Sequence, residues 1–248
     1  LSDRSVLSLR GANTYKLLQG LVTNDVRRLE ERATSPSASS SAQTSAHTSA
    51  FYCGFLNPQG RLIGPAFLYN EGTFAATSDP AAPPSVLMDC HSANVPSLQT
   101  FIKRFMLRSK VKLADESEGW ETWAIWSDDA SSRDEEAMTS LEQEGKVLRD
   151  ARTPRMGWRL LSPRNSTPPL PIAVQHRSPL AYTRHRIAQG VPDGPVELPE
   201  NSSLPLEANL DLMGGVDYKK GCYVGQELTA RTHHIGVVRK RVMPVRLH

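Results

Sequence analysis

Residues Phe51 to Tyr69 hold two apolar runs parted by Asn57-Pro58-Gln59-Gly60, and no other feature restricts the fold as much. The parting residues suit a type I turn, with Asn first, Pro second and Gly fourth. Phe51–Leu56 and Arg61–Tyr69 are therefore expected to form the arms of an antiparallel hairpin. Asn70-Glu71-Gly72 is expected to turn the chain into a third strand, Thr73 to Thr77, completing a β-meander. Elsewhere strands and helices alternate without βαβ regularity and without a glycine fingerprint. The fold class expected is α+β rather than a doubly wound sheet.

Around the meander, Val6 to Leu9 reads as a strand. Asn13 is placed to N-cap a helix whose one face carries Leu17, Leu18, Leu21 and Val22. Ala33 to Ala50 is mostly Ser, Thr and Ala, with one Pro and no acid, Lys or Arg, and is expected to be a mobile insert. Pro80 to Pro84 reads as a crossing between lobes. A helix is expected from Pro96 to Arg108, burying Leu98, Phe101, Ile102, Phe105 and Met106. Strands follow at Val111–Leu113 and Trp123–Trp126, then a polar helix over Arg133–Glu144 and a strand over Gly157–Leu161. Ser162 to Pro171 reads as a linker. A last long helix begins at Ser178-Pro179, is expected to pack through Leu180, Thr183, Ile187 and Ala188, and stops at Gly190. The organisation expected is a first lobe over 1–79, a second α+β lobe over 80–175, and a return to the first over 176–238.

Charge excludes little. The 248 residues carry a net charge of +3, too small to signal nucleic acid. Arg231 to His248 contains no Asp or Glu but holds Arg231, Arg239, Lys240, Arg241 and Arg246. That stretch is either a solvated strand face or a binding patch. RNA binding ranks last, since no aromatic platforms accompany the basic residues. No apolar run is long enough to span a bilayer. The start at Leu1 fits a processed chain.

Cys53, Cys90 and Cys222 are too few and too scattered for a disulfide framework or a four-cysteine metal site. Cys53, in an alternating strand, and Cys90, among turn residues, read as small buried hydrophobes. Cys222 differs. Gln226 to Thr232 can form a helix that Gly236 ends, so Cys222 stands just ahead of a helix start, after Lys219 and Lys220. Partial positive charge from the helix end and from the lysines favours thiolate, and Gly221 and Gly225 leave the sulfur uncovered. An open thiolate is a soft metal ligand or a nucleophile. His233 and His234 are adjacent and cannot share a helix face as a metal pair does, so a cap or a partner contact is expected of them. Glu227 reads as a capping carboxylate, and Gln226 and Arg231 as residues that hold either the loop or a ligand.

Lys220-Gly221-Cys222-Tyr223-Val224-Gly225-Gln226-Glu227 resembles the signature of the YgfZ family. The extension Leu228-Thr229-Ala230-Arg231-Thr232-His233-His234 resembles its eukaryotic branch of mitochondrial iron–sulfur cluster assembly factors. Gly190-Val191-Pro192, Leu204-Pro205-Leu206-Glu207-Ala208-Asn209-Leu210 and, near the start, Leu18-Gln19-Gly20-Leu21-Val22-Thr23-Asn24-Asp25-Val26 match as well. The resemblance implies an aminomethyltransferase-like, folate-binding fold of two intertwined α+β lobes. It implies a C-terminal β-barrel beginning near 239–248, here truncated or absent. It further implies work in the mitochondrial matrix, late in maturation of [4Fe–4S] client proteins beside A-type carriers. Cys222 would then be one ligand of a cluster shared with the partner. Lys220, Gly221, Tyr223, Gly225, Gln226, Glu227 and Arg231 would attend the cofactor, and tetrahydrofolate is a second cofactor the fold admits.

The alternative is a folate-dependent aminomethyl or one-carbon transfer enzyme. Such enzymes carry a Gly-Gly-Ile-Ile-Asp-Asp-like run, where this chain has Gly60-Arg61-Leu62-Ile63-Gly64-Pro65. Gly64 and Pro65 stand where the acids belong, leaving no evident group to manage a proton. The expectation is an assembly factor without that catalysis.

Overall fold

A computed structural model describes residues 1–29, 50–74, 83–127, 132–144, 146–166, 168, 170 and 172–246. Its centre is a five-stranded antiparallel sheet of order β2-β3-β4-β1-β5: β1 Arg4–Arg10, β2 Ala50–Leu56, β3 Leu62–Asn70, β4 Ser85–His91 and β5 Lys112–Asp115. The expected hairpin is present, with Phe51 opposite Leu68 and Gly54 opposite Pro65. Its turn closes through Gly60 N–H to the Asn57 carbonyl at 2.9 Å.

Every residue of β2 and β3 is buried, because both faces of the sheet are covered. Successive side chains fall on opposite faces. Phe51, Cys53 and Phe55 therefore join Leu7, Leu9, Leu68, Val86 and Met88 on one side. Tyr52, Leu56, Phe67, Tyr69 and Leu87 lie on the other. Two helices cover the first face: α1 Thr14–Gln19 through Leu18, and α2 Val95–Phe105 through Leu98, Phe101 and Ile102. The second face meets a smaller antiparallel sheet, order β6-β8-β7, made of β6 Trp120–Ile125, β7 Leu148–Arg149 and β8 Trp158–Pro163. Helix α3, Ser132–Gln143, packs Met138 against that sheet's Trp158 and Leu160 and against Val147 just before β7. Among the described residues no helix is long and apolar enough to cross a membrane.

The sheets are joined by buried charge. Asp89 projects from β4 into the second face and accepts Arg4 Nε at 2.7 Å and Arg159 Nη2, from β8, at 2.6 Å. Arg4 also holds Asp193 at 2.9 Å, and Arg152 binds Asp150 at 2.6 Å and the Tyr182 hydroxyl at 2.9 Å. Burial alone would raise these carboxyls, but the arginines reverse it and hold Asp89, Asp150 and Asp193 below the ordinary carboxylate range.

Several expectations change. Ser85–His91, assigned no element from the sequence and holding a Cys90 read as lying among turn residues, is a buried strand. The carboxylate at Asp89 interrupts its apolar pattern and is matched only by distant arginines. β4 and β5 pair with β1 although both lie beyond residue 80. Glu71–Phe74 is a helical turn, so no strand begins at Thr73. Asn70 Oδ1 accepts the Gly72 amide at 3.0 Å and Glu71 pairs with Arg10 at 2.8 Å. Positions 75–77 lie outside the described residues, as does the insert up to Ser49, whereas Ala50 opens β2. Asn13 sits at the N-cap of α1 without a side-chain cap bond; Thr14 Oγ1 instead donates to the Gly11 carbonyl at 2.8 Å.

Helix α2 ends at Phe105, which is 42% exposed rather than buried. Helix α4, Pro179–Ala188, starts at the expected Ser178 cap but buries Tyr182 and Arg186. Leu180 and Ile187 face solvent, because α4 turns Tyr182 into the second-face core and Arg186 onto Glu197 instead. Residues 239–246 form no strand; Val242 is tied to Glu207 and Asn209 by hydrogen bonds of 3.0 and 2.7 Å.

Candidate functional site

The signature segment ends in α5, Gln226–Ile235, with Gly225 as N-cap and Gly236 as the stop read from the sequence. Gly225 has φ +78°, in the left-handed region. A Cβ there would stand 2.3 Å from the Asn57 carbonyl oxygen, so only glycine lets the loop approach the β2–β3 turn. Gly221 is different, with open space around it and ordinary φ. Gln226 is the loop-closing side chain, its Oε1 accepting the Tyr223 amide at 3.2 Å. Glu227 and Arg231 are exposed, and it is Gln226 rather than Glu227 that satisfies the Tyr223 amide.

Behind this loop lies the 19–24 segment, about 200 positions earlier. Thr23 accepts the Asp217 amide at 2.9 Å, and Gly20 accepts the Val224 amide at 3.0 Å. Asn24 Nδ2 bonds the Gly214 and Tyr52 carbonyls, each at 2.9 Å. Thr23 Oγ1 donates to the Gly215 carbonyl at 2.6 Å and accepts the Gly54 amide at 2.8 Å. Two stretches noted separately in the sequence therefore form one body.

Lys220 departs from its expected role. Its side chain is buried, and Nζ donates to the carbonyls of Gln19, Val22 and Asn24 at 2.8, 2.5 and 2.9 Å. It also lies 4.9 Å from the centroid of the Tyr223 ring. Burial pushes this ammonium down to about 8, while the Asp25 and Asp217 carboxylates pull it up. The charge expected beside Cys222 from Lys220 is thus directed into the fold; Lys219 alone of the pair is exposed.

Cys222 is exposed, and Cys53 and Cys90 are buried. Burial raises both buried thiols, Cys90 to about 12, which keeps them protonated at neutral pH. His233 stacks on Tyr218 with ring centroids 3.5 Å apart, and His234 meets His233 edge-on at 5.0 Å. The contact made by His233 is thus with this chain's own tyrosine. Asp217, Tyr218 and the 19–24 carbonyls are parts of the site to which sequence reading assigned no role, although the family likeness of Leu18 to Val26 marked that segment. In the run that departs from the folate enzymes' acidic pattern, Gly64 and Pro65 lie in buried β3, with the Asn94 side chain beside Gly64.

No family model matches the chain. An iron-sulfur cluster assembly factor IBA57 homolog, mitochondrial, from Mycosarcoma maydis is 42% identical over 242 residues, 98% of this chain and 55% of that protein. The homologue from Coccidioides immitis is 39% identical over 253 residues, 100% of this chain and 56% of its own length. The Homo sapiens protein is 37% identical over 250 residues, 99% of this chain and 65% of its own. The chain therefore spans 55–65% of the length of these three relatives. Aminomethyltransferase T of the Bartonella henselae glycine cleavage system overlaps 46% of this chain and 24% of its own, at 9% identity and TM-score 0.31, too slight a likeness to argue from. Over nearly its whole length this chain is thus similar, at 37–42% identity, to these mitochondrial iron-sulfur cluster assembly factors named IBA57.

Proposed function

We propose that this protein serves mitochondrial iron–sulfur cluster assembly, in the matrix and late in the maturation of [4Fe–4S] proteins. The observation that carries the reading is the solvent-facing sulfur of Cys222 on a loop anchored at Asp217 and Val224. The cluster is cargo, and Cys222 supplies one thiolate to it. The remaining ligands come from an A-type carrier, because Cys53 and Cys90 are sealed in the core. The names of the relatives support the process and the mitochondrial setting. Client [4Fe–4S] proteins follow in the same sequence of transfers. Tetrahydrofolate is given no step in this reading.

Anaerobic mixing with a cluster-loaded A-type carrier tests it. Wild type is expected to form a coloured heterocomplex, followed by absorption and circular dichroism, that Cys222→Ala loses. A Cys222→Ala complex with unchanged spectrum and lifetime refutes the ligand role.

A further inference from the structure

An ammonium has three N–H donors. Lys220 spends all three on the Gln19, Val22 and Asn24 carbonyls, so none remains for a ligand or for Cys222. Backbone bonds pin the same segment on both sides of the cysteine, at Asp217 and at Val224. Between those pins Gly221 and Cys222 are both exposed, and nothing lies within 4 Å of the Cβ position of Gly221. Lys220 is thus the buried side-chain anchor immediately before an otherwise uncovered crest.

We infer that Lys220 is a positioning residue for Cys222. Its ammonium clamps the crest to the 19–24 loop and presents the sulfur in one place, and it binds no ligand itself. Ion–dipole bonds to carbonyls suit the task, since they hold the loop without neutralising the charge through a carboxylate. A glycine-bearing loop released from such an anchor samples many conformations, and a sulfur that wanders is a poorer cluster ligand. The inference rests on the cargo role proposed for Cys222, yet the clamp can be tested apart from it.

The test compares the full chain with Lys220→Met and Lys220→Arg by amide hydrogen exchange, then by cluster lifetime in the carrier complex. In Lys220→Met the Asp217 and Val224 amides are expected to exchange roughly tenfold faster or more. The Leu68 amide in β3 should stay protected, showing that the fold persists. Lys220→Arg keeps the charge and is expected to recover part of the protection and of the cluster lifetime. Unchanged Asp217 and Val224 exchange in Lys220→Met overturns the clamp, as does equal loosening in the Met and Arg variants. Loosened amides with an unchanged cluster lifetime overturn the positioning role. A cluster that survives Cys222→Ala, where Lys220 is intact, overturns the cargo role instead.

Discussion

Cys53 and Cys90 occupy one row of the central sheet, on either side of Ala66, which is register partner to both. Two strand spacings, about 9–10 Å, therefore separate their backbones. That exceeds the reach of a disulfide, and both thiols are sealed inside one core cluster. The sheet thus leaves Cys222 chemically apart from the other two cysteines.

Alkylation at neutral pH with peptide mapping should label Cys222 first. Cys53 and Cys90 should react only on unfolding, because burial raises their thiols and excludes the reagent. Labelling of either in the folded chain at the rate of Cys222 would contradict this packing.

Gly225→Ala should destabilise the chain by about 1–3 kcal/mol, from the left-handed φ and the clash with the Asn57 carbonyl. Gly221→Ala should change stability little, since its surroundings are open. Urea denaturation of both variants measures the contrast.

Asp89→Ala should cost about 3–5 kcal/mol, because it leaves the buried Arg4 and Arg159 without their shared carboxylate. The same loss should separate the two sheets. Near-ultraviolet circular dichroism would follow Trp158 and Trp123 on the smaller one.

Stability should fall in acid. The folded pKa values of Asp89, Asp150 and Asp193 are lowered, so their contribution is complete above the unfolded carboxylate range. It declines below about pH 4, where the unfolded chain takes up protons that the folded chain refuses. Denaturation midpoints at pH 7, 4 and 3 would show the slope. Asp193→Asn should flatten it, at the cost of lower stability at pH 7.

Local chemistry made much of this protein legible. The turn residues at 57–60 foretold the β2–β3 hairpin, and Gly236 the end of α5. The Leu98, Phe101 and Ile102 stripe foretold the inner face of α2, and the octapeptide around Cys222 the likeness to the IBA57 relatives. These signals lie within a few residues of what they specify. Tertiary structure alone decided that Ser85–His91 is an inner strand, that α4 turns Arg186 inward, and that Lys220 points away from the cysteine it precedes. In each case a charged group is buried, and what makes burial tolerable is a partner brought close only by folding. For Asp89 it is Arg159, 70 positions later, and for Lys220 the carbonyl of Asn24, 196 positions earlier. Periodicity registers apolar faces; it has no signal for a charge whose compensation is assembled by the fold.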